Sequence, residues 1–328
     1  MELAGDDMRI GTGMLEVRVI TPPAALPPPS SGLVEIVAPT PWIMGCASEY
    51  LVEHQPERDS PALEESGTGA WRWWRTRGVQ LAAARLTIAE DIPLEEQVAG
   101  LYRELLENLG NWRLYRIWNY VPAINVWREG QENYRRFNLG RAMAFQAFAG
   151  ESGSASLPAA SAVGATGPDL VIYALSGIET PQYFENPEQV PAYQYPAQYG
   201  ATPPSFARGS VVVQGGSRHG FISGTAAIKG HQSLAAGDLA EQTRITLDNL
   251  RLMAERLGFP GALSGPATPG LQRFVRVYLR HPADAKTALD LLREGGLELA
   301  NHEVAVVQAD VCRAELDIEI EAKFSAPG

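Results

Sequence analysis

The distribution of apolar and polar positions divides the first half of the chain into strands and helices. Short apolar runs with alternating polar positions predict strands over 33–37, 79–88 and 114–121. Apolar residues at helical spacing predict helices over Leu94–Leu109 and Gln131–Ala149, and each is followed by a glycine of the kind that ends helices. Because strands and helices alternate, this half is expected to form a sheet covered by helices.

The second half repeats these kinds of element after a stretch rich in small residues. Its strands are predicted over 170–175, 210–214, 220–224, 274–280 and 304–309, and its helices over Asp238–Leu257 and Ala283–Arg293. Residues 151–167 are rich in Ser, Ala and Gly and show no period, which is typical of a linker. We therefore predict an α/β domain over 1–150, a linker over 151–168 and a second α/β domain over 169–328, with mixed sheets and helices packed on one face.

The last predicted strand carries a row of acidic residues on one face. From residue 315 the alternation is strict, with one face formed by Leu316, Ile318, Ile320 and Ala322. The opposite face is formed by Glu315, Asp317, Glu319 and Glu321. Two interpretations remain open from the pattern. The acids form a solvated edge face, or one of them lies under a pocket where burial raises its pKa enough for proton donation.

Composition excludes several classes of function. A formal net charge of -11 over 328 residues disfavours a nucleic-acid partner, which requires a concentrated basic face. The two cysteines are far apart in sequence and the five histidines have no ligand spacing, so no metal site is expected. The N-terminal residues lack a signal-peptide pattern and no run of 18 apolar residues occurs, so we expect a cytoplasmic protein that does not bind membranes.

One sequence segment in the second half resembles the signature of the RidA/YjgF-like fold. It comprises Phe221–His231 (FISGTAAIKGH), then Gly237 and Asp238 at the start of a helix, and a similar final strand around Glu319. Members of that fold are commonly trimers with sites between subunits. The imine-deaminase branch carries an arginine where this chain has Asp310, which argues against deaminase activity.

Longer motifs are similar to the chorismatase family. They are YRIWNYVPAIN over 115–125, ENYRRFNLGRA over 132–142, YPAQYG over 195–200, PSFAR over 204–208 and the Cys312-Arg313 pair ahead of Glu319. The resemblance covers residues 110–325. It implies a RidA-like C-terminal domain joined to a related N-terminal domain, either as a pseudo-trimeric monomer or as a small homo-oligomer. It also implies removal of pyruvate from chorismate without a cofactor.

The same resemblance implies roles for individual residues. Glu319 matches the catalytic acid. Chorismate is a dianion, and guanidinium forks and tyrosine hydroxyls suit its carboxylates. The residues expected to bind it are Tyr134, Arg141, Tyr195, Tyr199, Arg208 and Arg280. For each arginine the alternative is a surface ion pair, and for each tyrosine it is ordinary packing.

Two further residues bear on which product forms. Gly224 and Cys312 match the branches that make aromatic products, so we predict 3-hydroxybenzoate and pyruvate. The alternatives are a bifunctional enzyme that also gives 4-hydroxybenzoate, a hydrolase that gives a dihydroxycyclohexadiene carboxylate, and a RidA-like metabolite-binding protein. One geometric conflict stands. Residues 312 and 319 are an odd number apart, so on a regular strand they would face opposite sides unless the chain bends, and no Gly or Pro marks a bend.

Overall fold

A computed structural model describes most of the chain. The described residues are 15–18, 34–35, 39–46, 49–52, 64–76, 78–128, 130–149 and 157–328. In chain order the strands of the first half are β1 (Leu15–Arg18), β2 (Val34–Glu35), β3 (Trp42–Gly45), β4 (Glu49–Val52), β5 (Glu64–Thr68), β6 (Trp71–Arg75), β7 (Val79–Thr87), β8 (Arg113–Pro122), β9 (Trp127–Arg128), β10 (Gln131–Glu132), β11 (Ala159–Ala165) and β12 (Asp169–Gly177). The helices of this half are α1 (Leu94–Asn108) and α2 (Asn133–Ala149).

The remaining elements follow in the second half. Its strands are β13 (Gln182–Phe184), β14 (Gly209–Gln214), β15 (Ser217–Thr225), β16 (Ile228–Lys229), β17 (Gln232–Ser233), β18 (Gln272–Leu279), β19 (Val304–Gln308) and β20 (Ile318–Pro327). Its helices are α3 (Leu239–Arg256) and α4 (Ala285–Glu294), with short 3₁₀ turns at Ala192–Gln194, Ala197–Tyr199, Pro282–Asp284 and Asn301–Glu303. The Asp238 carboxylate begins α3 by accepting the Glu241 N–H at 3.0 Å, a standard N-cap.

Two mixed sheets form the frame. The first has six strands in the order β11-β8-β12-β7-β6-β5, and the second has seven in the order β13-β14-β15-β20-β18-β19-β3. Parallel pairs, β11 with β8 and β18 with β19, occur beside antiparallel ones. The smaller groups are β2-β1-β4, β10-β9 and β16-β17. The predicted mixed α/β class is therefore confirmed.

The two sheets pack face to face, with the helices outside. Aromatic and aliphatic side chains from both sheets share one core, including Trp118 and Tyr173 from the first and Phe221 and Tyr278 from the second. The outer face of the first sheet packs on α1 and α2, and that of the second packs on α3 and α4. Each half thus places two helices on one face of its sheet, as the alternation of strands and helices along the chain predicted. Burial on both faces explains why strands such as β12 and β19 are apolar along nearly their whole length.

The predicted linker and domain boundary need correction. Residues 159–165 form β11 instead of a linker, and β12, expected to open the second domain, pairs with β7 and β8 in the first sheet. Conversely, β3 comes from the first 50 residues but lies on the edge of the second sheet beside β19. The small residues of 159–165 predict a linker from sequence, but they fit a buried edge strand that pairs with β8. Residues 151–156 lie outside the described part of the chain.

The final strand begins later than the alternation from residue 315 predicted. Only residues from Ile318 onward belong to β20, while 310–317 form an irregular bend before it. Arg280 stabilises the bend, because its guanidinium donates to the main-chain carbonyls of Val311, Arg313 and Leu316 at 3.1–3.3 Å. It also pairs with the Asp310 carboxylate at 2.5 Å. The bend therefore requires neither Gly nor Pro, since the carbonyls that leave the sheet find a cationic donor.

Candidate active site

A cavity of about 380 Å³ lies between the two halves, within the usual range for small-molecule sites. Its walls come from α2, β11, the loop between β13 and β14, the end of β15 and the bend before β20. Eight of the nine residues predicted for the site line it: Tyr134, Arg141, Tyr195, Tyr199, Arg208, Gly224, Cys312 and Glu319. The fold thus brings together residues that are up to 185 positions apart, counted from Tyr134 to Glu319.

Glu319 lies at the start of β20 with 4% of its surface exposed. Desolvation raises the pKa of its carboxyl to about 8, the negative charge of Glu321 adds to this, and Arg116 and Arg208 oppose it. The carboxyl is therefore protonated at neutral pH and lines a cavity, so it is placed to donate a proton. Of the two interpretations of the acidic row, a solvated face does not describe Glu319, which is buried at a cavity; its role as proton donor stays a prediction.

Gly224 lies directly against this acid. A Cβ at position 224 would overlap the Glu319 carboxylate and come within 3.0 Å of the Ser161 hydroxyl. The Gly224 N–H donates to that hydroxyl at 2.8 Å, which fixes the β15 main chain to β11. A side chain at this position would have to displace the acid from its place under the cavity.

Cys312 and Tyr134 form the wall beside Glu319. Burial, followed by the nearby Glu319 charge, raises the pKa of the Cys312 thiol to about 12, so it is a neutral thiol at physiological pH. Burial and the neighbouring Cys312 likewise raise the pKa of Tyr134 above its usual value. Because Cys312 lies in the bend before β20, the odd spacing from Glu319 does not apply, and both side chains line the same cavity.

Three arginines with spare hydrogen-bond donors surround the cavity. Arg141, Arg208 and Arg313 are 1%, 4% and 9% exposed. Within the described residues, no acceptor meets Arg141 Nε, Arg208 Nε or Arg313 Nη2, although all three atoms are buried. Buried cationic donors without partners are costly, and an anionic ligand would satisfy them.

Contacts around these arginines orient them. Arg141 donates to Asn138 Oδ1 at 3.0 Å and lies 5.1 Å from the Phe137 ring centroid. Arg208 donates to the Tyr195 hydroxyl at 2.6 Å. Sequence reasoning placed Arg313 only within a motif and gave it no role. Its signal was its position directly after Cys312, in the segment that the structure shows to be a bend.

Tyr195 and Tyr199 hold Arg313 from one side. The guanidinium carbon of Arg313 lies 4.0 Å from the Tyr199 ring centroid and 5.2 Å from that of Tyr195. On its other side Arg313 donates to the His231 carbonyl and the Ser233 hydroxyl, both at 2.9 Å. A cation stacked on two aromatic rings has a defined orientation. The proline-rich loop that carries these tyrosines therefore shapes the cavity.

Arg280, the ninth predicted residue, lies outside the cavity. Its donors are taken up by Asp310, by the Asn125 side chain and by the carbonyls of the bend. The prediction that it binds substrate is wrong, because a guanidinium that already supports a main-chain bend has no free edge to present. Its contribution to the site is the bend that brings Cys312 and Arg313 to the cavity.

Comparisons with known proteins agree with this geometry. The family model for chorismatase, FkbO/Hyg5-like, N-terminal, matches residues 58–176. A chorismatase from Streptomyces hygroscopicus is 33% identical over 76% of this chain and 72% of that protein. The chain belongs to the chorismatase family. A relative named 3-hydroxybenzoate synthase, from Streptomyces hygroscopicus, is 36% identical over 66% of this chain, and the match spans 65% of that relative's length, just under two thirds.

The chorismatase fold extends over nearly all of the chain. A chorismatase crystal structure superposes with a TM-score of 0.77 and 25% identity, covering 97% of this chain and 95% of that one. In the part of the chain that the structure describes, no helix has the length and apolar character needed to cross a membrane. Among the same residues, no group of three or more His, Cys, Asp or Glu side chains is arranged to hold a metal ion.

Proposed function

We propose that this protein converts chorismate to 3-hydroxybenzoate and pyruvate. The observation that carries the proposal is a buried carboxyl, Glu319, that lies at a cavity with three arginines and whose pKa burial raises to about 8. An acid next to such cations would ordinarily be ionised, so its neutrality marks it as a candidate proton donor. The family membership and the relative named 3-hydroxybenzoate synthase support the same conclusion.

The charge of the cavity suits the substrate. Chorismate carries a ring carboxylate and an enolpyruvyl carboxylate, and each can accept a pair of hydrogen bonds from one guanidinium edge. Arg141 and Arg208 have a free Nε and Arg313 a free Nη2 for this purpose. The Tyr134, Tyr195 and Tyr199 side chains supply further walls and hydroxyls. Binding at these groups would hold the flexible side chain in reacting geometry.

Proton transfer from Glu319 starts the reaction. The proton goes to the methylene carbon of the enolpyruvyl group, and the enol ether becomes an oxocarbenium ion. The bond between the ring carbon and the ether oxygen then breaks and pyruvate leaves. The neighbouring ring hydroxyl takes the place of the departing oxygen and gives its proton to the Glu319 carboxylate. The bond between this oxygen and its original ring carbon then breaks. The ring carbon that now carries the oxygen loses its proton, and the oxygen gains one, which gives 3-hydroxybenzoate. Chorismate is thereby divided into 3-hydroxybenzoate and pyruvate without gain or loss of atoms, so no net water is consumed and a sheltered site favours the route.

Gly224 and Cys312 adjoin the acid and are proposed to select this product. Gly224 leaves room for the carboxyl, and Cys312 presents a neutral, poorly solvating wall. A water molecule held near the same ring carbon would instead give the dihydroxycyclohexadiene carboxylate. Formation of 4-hydroxybenzoate beside the 3-isomer is the second product pattern that the site leaves open.

The direct test is to incubate the purified protein with chorismate. Pyruvate is followed with a coupled dehydrogenase, and the aromatic product is identified by chromatography against authentic 3- and 4-hydroxybenzoate. Pyruvate and 3-hydroxybenzoate in equal amounts are expected. Binding of chorismate without pyruvate release would support a metabolite-binding protein, and a non-aromatic product would support the hydrolase.

We also propose that the protein acts in the cytoplasm as a monomer or small homo-oligomer. The cavity walls named above come from both halves of the chain. Size-exclusion chromatography with light scattering tests the assembly. Activity that disappears on dilution would contradict a site formed within one chain.

A further inference from the structure

A second carboxylate, Glu321, lies two residues beyond Glu319 and is saturated with hydrogen bonds. Its Oε2 accepts from Arg116 Nη2 at 2.7 Å and from the Ser161 hydroxyl at 2.6 Å. Its Oε1 accepts from Arg276 Nη1 at 2.8 Å and from the Trp118 indole N–H at 2.9 Å. Four donors, two of them cationic, fill the acceptor positions of both oxygens, so this group is held as an anion.

Ser161 links the saturated carboxylate to the cavity. The Arg116 guanidinium and the Gly224 N–H can only donate, and both donate to the Ser161 oxygen. The single hydroxyl proton of Ser161 therefore goes to Glu321, which can only accept. Ser161 also lines the cavity near Glu319, yet it has no proton left to stabilise an ionised Glu319. The network thus withholds a hydrogen-bond donor from the acid.

The charges that face the two acids come from several elements. Glu319 faces the Glu321 charge along its own strand, Arg116 from β8, Arg208 ahead of β14, and the neutral Cys312 and Tyr134 side chains. Glu321 faces Arg116, Arg276 from β18, and the hydroxyls of Tyr120 and Tyr278. Of the ionised groups acting on Glu319, Glu321 has the largest effect, followed by Arg116.

We infer that Glu321 is a positioning residue for the reaction: its fixed negative charge, together with the committed Ser161 proton, keeps Glu319 protonated and able to donate. Glu321 acts through Glu319 and has no contact with the cavity. The catalytic part of the inference rests on the proposed function. The coupling of the two carboxyls is a property of the fold and does not depend on that function.

The test uses the pH dependence of pyruvate release by two variants that remove opposite charges. Activity requires protonated Glu319 and so falls as pH rises through its pKa, near 8 in the parent. Glu321→Gln leaves Arg116 uncompensated, so the midpoint of the alkaline limb is expected to fall by on the order of one pH unit. Arg116→Gln removes a cation, so the midpoint is expected to rise. If these residues had only a structural role, each substitution would lower the rate of pyruvate release at every pH. The midpoints of the alkaline limb would then not move in opposite directions.

The control is a second buried ion pair, between Arg273 of β18 and Glu303 of the 3₁₀ turn that precedes β19. Glu303 receives hydrogen bonds from Arg273 at 3.0 and 3.2 Å and lies away from the cavity. Glu303→Gln is expected to weaken folding while leaving the alkaline midpoint in place. A midpoint unchanged in Glu321→Gln, or moved in the same direction by both test variants, would overturn the inference.

Carbon-13 titration of glutamate carboxyls in the wild-type protein gives a readout that needs neither turnover nor a folded Glu321 variant. The Glu319 signal is assigned by its absence from Glu319→Gln. It is expected to titrate near pH 8. An ionised Glu319 carboxyl at pH 7 would overturn the inference. Titration of Glu319 near pH 8 without pyruvate release from chorismate would instead overturn the proposed function and leave the coupling of the two carboxyls intact.

Discussion

Two glutamates that are two residues apart in β20 lie in different environments. Glu319 and Glu321 lie on the same face of β20, at the cavity and between the two sheets respectively, and they are 4% and 5% exposed. Burial by itself would raise the pKa of both carboxyls. At Glu319 the neighbouring anion adds to burial, whereas at Glu321 the charges of Arg116 and Arg276 and two hydrogen bonds outweigh it and bring the pKa below the usual value.

The difference shows that burial alone does not decide the charge of an acid. What decides it is how many donors the fold directs at each carboxyl. Two carboxyls whose pKa values are driven apart are a recognised route to distinct roles within one site. Here one acid is expected to move a proton, and the other is expected to stay charged throughout.

Glu319→Gln should give the largest effect and the clearest division between the two acids. Pyruvate release is expected to fall by about 10²–10⁴, because the general acid is lost. Below pH 4.5, thermal stability should stay close to the parent, because a neutral amide then replaces a carboxyl that is protonated in the folded protein and largely protonated in the unfolded chain. Coupled pyruvate assays and circular dichroism melts measure the two outcomes. Turnover within a few-fold of the parent would reject Glu319 as the acid.

Glu321→Gln is expected to act mainly on folding. It leaves two buried guanidinium groups short of a counter-charge, a change that typically costs about 3–5 kcal/mol of unfolding free energy. Urea denaturation at pH 7 measures the loss. Asp290→Asn, which removes an exposed pair with Lys286 and Arg293, is the control and should give no measurable change. Equal stability of Glu321→Gln and the parent would remove the contrast between the acids.

The stability of the folded protein should depend on pH in opposite ways through the two acids. The folded pKa of Glu319 is raised from 4.5 to about 8, so its stabilising contribution is complete below 4.5 and is lost as pH rises towards 8. The folded pKa of Glu321 is lowered, so its contribution is present above 4.5 and is lost at lower pH. The unfolding free energy of the parent minus that of Glu319→Gln should therefore decline between pH 4.5 and 8. A flat difference would contradict the raised pKa.

Gly224→Ala is expected to disturb the acid from the opposite side. The new methyl group would overlap the Glu319 carboxylate, and a displacement of the acid by about 1 Å can reduce turnover on the order of 10²-fold. Gly100→Ala, in α1 with open space around it, is the matched control and should keep full activity. Chromatography of the products will show whether the remaining turnover changes its isomer ratio. Full turnover with an unchanged ratio would exclude any role for Gly224.

Cys312→Ala should give the smallest change in rate. Because the thiol is neutral, it supplies no charge, and total pyruvate release is expected to stay within a few-fold of the parent. The isomer ratio of the aromatic product is the quantity expected to change. Cys46→Ala, at the end of β3 and outside the cavity lining, is the control. The same ratio in both variants would remove Cys312 from product selection.

Local patterns predicted the helices and most strands because their periods are written along the chain. Predicted Leu94–Leu109 became α1 over Leu94–Asn108, and predicted 114–121 lies within β8. The pattern did not predict the strand β11 because its small residues have no alternation, and only its pairing with β8 at the buried edge of the first sheet makes them a strand. The motifs named nine residues for the site, and eight of them line the cavity. The error, Arg280, arose because a strand-end arginine looks the same whether it meets a ligand or a main-chain bend.

By itself, the sequence determined the element types, the family and the acidic row on the last strand, because these depend on residue identity and spacing. It did not determine which acid would be neutral. That depended on Arg116, Trp118 and Ser161, which lie about 160–205 residues away in sequence and donate hydrogen bonds to Glu321. Electrostatic energies vary with distance and solvent exposure in space, so only the packing of the two sheets could assign one carboxyl to the cavity and the other to the arginines.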